Sequence, residues 1–152
     1  MTDGYAIPER VRSRYNVPVL VDNDANIMAL GEHAAHWPDV EHLLFVKVGT
    51  GIGCGIVAKG PIDRGGQGAA GDIGHIRVSG NEDVVCHCGN TGCLEAVVGG
   101  AALAAQVRQY GLAADNSRDL VRLVRAQNPL AVRVVRQAGR LLGEVLASLV
   151  MG

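Results

Sequence analysis

One histidine and three cysteines lie close enough in the chain to share a metal ion. Three of the four cysteines fall within residues 86–93, and His75 precedes that segment. Gly89 and Gly92 let the segment turn tightly, so that sulfurs close in sequence can point at one centre. One histidine and three thiolates match the ligand count of a closed, tetrahedral zinc site. The sequence therefore predicts a structural Zn²⁺ site with the ligands His75, Cys86, Cys88 and Cys93.

The cysteines also allow interpretations other than a metal site. They could be free thiols of the core, or two of them could form a disulfide. Because only Cys54 lies outside the cluster, we expect metal binding rather than oxidised pairing. His87 could replace His75 as the nitrogen ligand. We prefer His75, because three adjacent side chains, Cys86, His87 and Cys88, rarely all turn towards one ion.

Asp24 is the first residue outside that cluster that could do acid–base chemistry. It stands next to Asn23 where a predicted strand becomes a helix, and open α/β sheets place their ligands at the carboxyl ends of strands. A carboxylate there can accept a proton from a substrate hydroxyl as a general base. The Asn–Asp pair could also hydrogen-bond neighbouring hydroxyls of a sugar. The alternative, which spacing alone favours, is that Asp22, Asn23 and Asp24 only end the strand and cap the helix.

Residues 49–53 read Gly-Thr-Gly-Ile-Gly and could approach a phosphate group. Small residues at a turn let backbone N–H groups reach phosphate oxygens, and the threonine adds a hydroxyl donor. The segment is not a Walker motif, because no Gly-Lys-Ser/Thr follows it. Glycine turns are common in hairpins, so the pattern alone is weak. The candidate phosphate-binding residues are Gly49, Thr50, Gly51 and Gly53.

A third group of polar residues flanks the cysteine cluster. Asp72, His75 and Glu95 could converge, because a shared metal would tie their loops together. One ring nitrogen of His75 can bind the metal while the other faces a ligand. Polar side chains beside a glycine-rich loop suit a ligand with many hydroxyl groups. The alternative is that Asp72 and Glu95 are solvated surface carboxylates.

The composition limits the classes of function. At 152 residues, one compact domain or a piece of a larger one is expected. The net charge of −1 and the absence of Lys or Arg runs argue against a nucleic-acid interface. No apolar run approaches the ~20 residues of a membrane span. We therefore expect a reduced, soluble, cytoplasmic protein with no membrane partner.

The elements that must position these residues are of mixed α/β type. The sequence predicts a short helix over residues 8–15 and a buried strand over residues 17–21. A helix follows the Asp-Asn-Asp segment and is broken at residues 37–39 by Trp-Pro-Asp, where we place a lobe boundary. Residues 43–48 and 54–58 predict a hairpin closed by the glycine turn.

The second half of the chain is predicted to be an irregular loop followed by helices. Residues 59–74 are rich in glycine and predict an irregular loop, and residues 76–78 predict a short strand beside the metal loop. Three helices are expected. The first begins at Gly99, the second is capped by Ser117 and the third begins at Pro129. The last helix carries one apolar stripe, expected to face the core or an interface: Leu130, Val134, Ala138, Leu141, Val145 and Leu149.

Taken together, four ordered motifs resemble those of the ROK family, the sugar kinases and sugar-responsive repressors of the actin-like ATPase (ribonuclease H-like) fold. Residues 21–26 resemble the family's Asn-Asp segment, and residues 48–55 its second phosphate motif. Residues 68–75 resemble its glycine-rich sugar loop, and residues 86–95 its zinc motif. The resemblance covers essentially the whole chain.

The resemblance implies a role for each candidate residue. Asp24 would be the catalytic base that deprotonates the sugar hydroxyl, and the turn at Gly49, Thr50, Gly51 and Gly53 would approach the phosphates of ATP. Asp72 stands where family kinases usually carry Glu, which favours the repressor branch. The implied sugar-binding residues are Asn23, Asp24, Asp72, His75 and Glu95, with His75 also on zinc.

The resemblance also implies a partial α/β fold. Residues 1–38 would be a remnant of the small lobe carrying the Asn-Asp motif, and residues 39–152 most of the large lobe. The Asp-x-Gly-Gly-Thr strand and Gly-Gly adenosine loop of the kinases, and the winged helix of the repressors, do not occur in the sequence. We therefore expect a truncated or partial chain.

Two functions follow from the resemblance. The first is the sugar-binding effector domain of a ROK transcriptional regulator, taking a hexose or amino sugar and reaching DNA only through a domain absent from this chain. The second is the central part of an ATP- and Mg²⁺-dependent hexose kinase similar to glucokinase. We favour the regulator and expect the chain to form homo-oligomers and to have no kinase turnover by itself. A zinc-dependent nucleic-acid binder is disfavoured by the neutral charge.

Overall fold

The computed structural model describes residues 6–150, which form the mixed α/β arrangement that the sequence predicts. A helix, a second helix and a three-stranded sheet come first, and four helices complete the chain. The elements in order are α1 (Ile7–Tyr15), α2 (Asp24–His36), β1 (His42–Val48), β2 (Ile52–Ala58), β3 (Ile62–Asp63), α3 (Leu94–Val98), α4 (Gly100–Gln109), α5 (Ser117–Arg125) and α6 (Pro129–Val150).

The sheet is antiparallel, in the order β1-β2-β3. The predicted hairpin is confirmed, because β1 and β2 pair from His42 opposite Ala58 to Val48 opposite Ile52. Helix α2 lies across this sheet with its two buried alanines, Ala25 and Ala29, turned towards β2. The helix can approach so closely because β2 carries glycine there: a side chain at position 55 would overlap Ala29.

The predicted strand over residues 17–21 is wrong. These residues form no strand, and Leu20 is 93% exposed. A strand requires hydrogen bonds from a neighbouring strand, and the sheet within residues 6–150 contains only β1, β2 and β3. The segment is tied instead to α1, through a hydrogen bond from the Arg12 guanidinium to the Val19 carbonyl of 2.9 Å. An apolar run alone therefore does not produce a strand.

The short strand predicted over residues 76–78 is reduced to a single bridge. Arg77 pairs with Cys93 in antiparallel fashion, and the flanking backbone bonds run from Val78 to Gly92 and from Leu94 to Ile76. This bridge joins the end of the glycine-rich loop to the segment that carries the cysteines.

The main core lies between the sheet and the C-terminal helices. Leu94 and Val107 are fully buried there, and α6 packs against α3, α4 and α5. The predicted stripe of α6 does face this core, since Ala138 and Val145 are buried, although Leu149 at its end is 39% exposed. Within residues 6–150, no helix combines the length and the apolar character needed to span a membrane.

The cap of α5 differs from the predicted one. The structure places Asn116, not Ser117, at the N-cap, where its side-chain oxygen accepts hydrogen bonds from the backbone N–H of Arg118 (2.9 Å) and Asp119 (3.2 Å). Asparagine is at least as good a capping residue as serine. The sequence pattern predicted the start of the helix correctly, but the capping side chain is that of the preceding residue.

We expect Asn116→Ala to lower the free energy of unfolding by about 1 kcal/mol, because two helix N–H groups lose their acceptor. Ser117→Ala is the matched control and should change it by less than about 0.5 kcal/mol. Urea denaturation of both variants measures the difference. An equal loss in Ser117→Ala would show that the hydroxyl at position 117 also caps the helix.

Candidate functional site

The candidate sugar-binding residues all line one cavity of about 400 Å³. Its walls are the start of α2, the end of the hairpin turn, the glycine-rich loop and the metal loop. Asn23 and Asp24 come from the first, Asp72 and His75 from the loop before the cysteines, and Glu95 from the start of α3. Residues far apart in the sequence are thus brought to one place.

The four candidate phosphate-binding residues are divided by the fold. Gly51 and Gly53 line the cavity, whereas Gly49 lies at a different surface depression beside α5. The carbonyls of Gly49 and Thr50 accept hydrogen bonds from Gly100 (2.9 Å) and Ala101 (3.3 Å), the first N–H groups of α4. Part of the turn therefore holds the beginning of a helix.

Asn23 and Asp24 have different surroundings at the start of α2. The side-chain oxygen of Asn23 accepts a hydrogen bond from the Ala25 N–H at 2.8 Å, so the capping role is real for this residue. Asp24 instead forms an ion pair and hydrogen bond with Lys47 of β1. The hydrogen bond from Lys47 lowers the pKa of Asp24. Lys47 also lines the cavity, and its place within an apolar strand gives no sign of this in the sequence.

Asp22 joins α2 to the glycine-rich loop. Its carboxylate accepts hydrogen bonds from Asn26 at 3.0 Å and from the Arg64 Nε at 2.9 Å, and these bonds lower its pKa. Arg64 lies 42 positions along the chain, at the beginning of the loop. The ion pair therefore fastens that loop beside the Asn-Asp segment.

Glu95 connects the metal loop to the hairpin turn. Its Oε2 accepts a hydrogen bond from the Ile52 N–H at 2.8 Å, and its Oε1 lies 3.2 Å from the His87 Nδ1. The carboxylate fits because position 51 is glycine, where an added Cβ would overlap it. The alternative of a solvated surface carboxylate is therefore wrong for Glu95, whose side chain is 21% exposed. A solvated surface carboxylate is a better description of Asp72, because its side chain is 58% exposed.

The glycine-rich loop is held against β2 at Gly71. The Gly71 carbonyl accepts a hydrogen bond from the Cys54 N–H at 3.0 Å. The backbone there has φ of +86°, in the left-handed region, and an added Cβ would overlap the Cys54 carbonyl. Asp72 follows directly, so this contact sets where its carboxylate enters the cavity.

The four predicted metal ligands form a compact group. Their ligand atoms, from His75, Cys86, Cys88 and Cys93, all lie within 4.8 Å of one another, so the group could hold a metal ion. The Cys86 sulfur is 3.7 Å from the His75 Nδ1, and the Cys88 and Cys93 sulfurs are 3.7 Å apart. All four cysteines of the chain are free thiols, and no pair of them forms a disulfide.

Backbone hydrogen bonds shape the loop that carries these sulfurs. The Cys86 N–H donates to the Asn90 carbonyl at 2.8 Å, and the Gly89 N–H donates to the Cys86 carbonyl at 3.0 Å. Gly89 and Gly92 have φ of +91° and +69°, the conformation that glycine adopts without steric cost. The two glycines thus make the tight turn that their spacing predicts.

The thiols of the group differ in acidity. A backbone hydrogen bond from Asn90 lowers the pKa of Cys88 to about 7, whereas burial raises the pKa of Cys93 to about 12. A thiolate disfavours ionisation of a neighbouring thiol, and a cation between the two sulfurs offsets that repulsion. A divalent metal ion is such a cation, and thiolates are the form in which cysteine binds metals.

The two histidines near the sulfurs have distinct positions. His75 turns Nδ1 towards Cys86, while its Nε2 lies 4.0 Å from the Asp72 carboxylate on the cavity side. The His87 Nδ1 is 3.8 Å from the Cys86 sulfur, but His87 lies outside the compact ligand group, and its exposed side chain lies beside Glu95. This geometry favours His75 over His87 as the nitrogen ligand and gives its second nitrogen access to the cavity.

Comparison with known proteins places this site in a family context. The xylose repressor of Caldicellulosiruptor bescii is 44% identical over 86 residues, which is 56% of this chain and 21% of the repressor. The glucokinase of Halalkalibacterium halodurans is 35% identical over 95% of this chain and 48% of its own length. The ROK hexokinase of Thermus thermophilus superposes with a TM-score of 0.81 at 38% identity, over 97% of this chain and 51% of that enzyme.

These relatives include both regulators and kinases, so similarity alone does not distinguish the two functions. The chain spans about half the length of the glucokinase and the hexokinase. Its α/β fold therefore corresponds to part of the actin-like ATPase fold of the sugar kinases. A model of the ROK family matches residues 2–151. With that match across nearly the whole sequence, the chain belongs to the ROK family.

Proposed function

We propose that this chain is the zinc-stabilised, sugar-binding effector domain of a ROK transcriptional regulator. The observation that supports it best is the convergence of Asn23, Asp24, Asp72, His75 and Glu95 on one cavity. Carboxylate, amide and imidazole groups together can both donate and accept hydrogen bonds, as a sugar ring requires. The cavity volume of about 400 Å³ falls in the range of small-molecule sites.

Zinc is the metal we propose for the cysteine group. Three sulfurs and one imidazole nitrogen form a soft donor set, which selects zinc over Mg²⁺ or Ca²⁺. Four protein ligands leave no open position, so the ion would be structural. Its proposed task is to hold His75 and Glu95, on either side of the cysteines, in the wall of the cavity.

The kinase is the second candidate. The chain resembles the glucokinase and hexokinase of the family over almost its whole length, and in a kinase Asp24 would be the base while the turn at residues 49–53 would approach ATP and Mg²⁺. Two observations favour the regulator. The Asp24 carboxylate is already paired with Lys47, and the Gly49 N–H of the turn already donates to the Gly51 carbonyl at 2.9 Å.

The proposal extends to the organisation of the parent protein. We propose that residues 1–38 belong to the small lobe and residues 39–152 to the large lobe, with the cavity where the two meet. A bound hexose or amino sugar would favour one orientation of lobes or subunits over another. That shift would reach DNA through a separate domain, and a homo-oligomer would transmit it between copies.

The first test is calorimetric titration of the chain with xylose, glucose and N-acetylmannosamine. We expect at least one sugar to bind, and Asp24→Ala to weaken it by about tenfold or more, because a hydrogen bond to a charged acceptor is lost. Asp39→Ala, an exposed carboxylate outside the cavity, is the matched control. Equal affinity of Asp24→Ala and wild type would contradict the assignment. Hexose phosphorylation by the chain with ATP and Mg²⁺ would favour the kinase.

A further inference from the structure

Among residues 6–150, Lys47 is the one ammonium group that lines the candidate sugar cavity. It stands on β1 opposite Gly53 of β2, where the missing side chain leaves room beside α2. Its Nζ reaches the first residue of that helix and binds the Asp24 Oδ2. The Lys47 ammonium is therefore bound to the carboxylate of Asp24, the residue that the family resemblance implies as the catalytic base.

We propose that Lys47 is a positioning residue that holds Asp24 as a fixed hydrogen-bond acceptor for a ligand hydroxyl and withdraws it from proton abstraction. The proposal rests on the proposed sugar-binding function of the same cavity. It makes Lys47 a residue that favours binding over phosphoryl transfer in this chain.

The chemistry of the two tasks differs. A general base must take up a proton in the transition state, and its efficiency falls as its proton affinity falls. The hydrogen bond from Lys47 stabilises the carboxylate and lowers the pKa of Asp24, so Asp24 becomes a poorer base. Binding makes no such demand on proton affinity, because a hydroxyl donates to the ionised carboxylate without giving up its proton.

The second effect of Lys47 is geometric. The ammonium is anchored on a strand and uses one lone pair of the carboxylate, which restricts the rotation of the Asp24 side chain. Ordering an acceptor before the ligand arrives reduces the entropy lost on binding. The other ammonium protons can donate to the same ligand.

This role is separable from folding. The Lys47 side chain is 38% exposed and that of Asp24 66% exposed, and exposed ion pairs contribute little to stability. Removal of the ammonium should therefore leave the melting temperature nearly unchanged. The other charged groups around Asp24 are common to wild type and variant: Asp22 on the same segment, Arg64, Asp72 and His75 on the glycine-rich loop, His87 on the metal loop and Glu95 at the start of α3.

The test compares wild type with Lys47→Met, which keeps most of the apolar stem, and Lys47→Arg, which keeps the charge. The Asp24 carboxyl carbon is followed by NMR during an acid titration without ligand. We expect its midpoint to lie lowest in wild type and Lys47→Arg and to rise in Lys47→Met. Calorimetry with xylose, glucose and N-acetylmannosamine should then give about tenfold weaker binding for Lys47→Met alone, the loss typical of a charge-assisted hydrogen bond.

The outcomes separate this proposal from the proposed function. If the Asp24 midpoint is the same in all three proteins, Lys47 does not control the carboxylate and the proposal fails. It also fails if the midpoint rises in Lys47→Met while the sugar binds as tightly as to wild type. If wild type binds none of the sugars, the proposed function fails, and the midpoint alone decides whether Lys47 lowers the proton affinity of Asp24.

Discussion

Cys88→Ser is expected to release the metal and to lower the free energy of unfolding by about 4 kcal/mol, the size associated with loss of a bound metal. Cys88 is the exposed member of the ligand group, so the change removes little buried apolar surface. Serine keeps the size of the side chain but supplies a hydroxyl in place of a thiolate. Any large loss of stability in this variant is therefore due to loss of the metal rather than to loss of core packing.

Elemental analysis of the purified variant measures the first effect, and thermal unfolding the second. We expect about one zinc per chain in wild type and less than about one tenth of that in Cys88→Ser, as a closed four-ligand site requires. A chelator should lower the melting temperature of wild type to that of the variant and leave the variant unchanged.

Cys54→Ala is the matched control, because Cys54 is a free thiol outside the ligand group. It should keep the full zinc content. Unchanged zinc in Cys88→Ser would mean that the ion has another fourth ligand, and His87 would be the first residue to replace. Zinc-free wild type of full stability would remove the structural role altogether.

The sequence predicted those parts of the fold that depend on neighbours along the chain. The β1–β2 hairpin follows from two apolar runs around a glycine turn, and it is confirmed, although β2 begins two residues earlier than predicted, at Ile52. The tight turn of the cysteine segment follows from Gly89 and Gly92, both of which have positive φ. In each case the local pattern and the final environment favour the same conformation.

The parts that were wrong or missed depend on distant partners. Residues 17–21 have a strand-like pattern but no described strand to pair with. Lys47 was read only as part of a strand, since its partner Asp24 lies 23 positions away. The contact of Glu95 with the Ile52 N–H spans 43 positions. The motifs predicted that the candidate sugar-binding residues would meet in one cavity, but not which atoms would bind each other.

Gly71→Ala is the second substitution with a large expected effect. Position 71 has φ of +86°, and an added Cβ would overlap the Cys54 carbonyl. An L-residue in the left-handed region costs about 1–2 kcal/mol, and relieving such an overlap costs about 1–3 kcal/mol more. We therefore expect the free energy of unfolding to fall by about 3 kcal/mol, measured by urea denaturation.

Gly68→Ala separates the two causes of this loss. Gly68 lies in the same loop with φ of +75°, but no atom lies within 4 Å of an added Cβ. It should lose only the conformational part, about 1–2 kcal/mol. Equal losses in the two variants would contradict a close contact between the loop and β2.

The same pair of variants tests whether that contact shapes the cavity. The hydrogen bond from the Cys54 N–H to the Gly71 carbonyl, at 3.0 Å, fixes the backbone immediately before Asp72. If the overlap in Gly71→Ala breaks this bond, the Asp72 carboxylate is displaced and sugar affinity should fall with stability. Gly68→Ala should keep the bond, so its affinity should fall less than that of Gly71→Ala, although Gly68 itself lines the cavity. Loss of stability without loss of affinity in Gly71→Ala would mean that the position of Asp72 does not depend on β2.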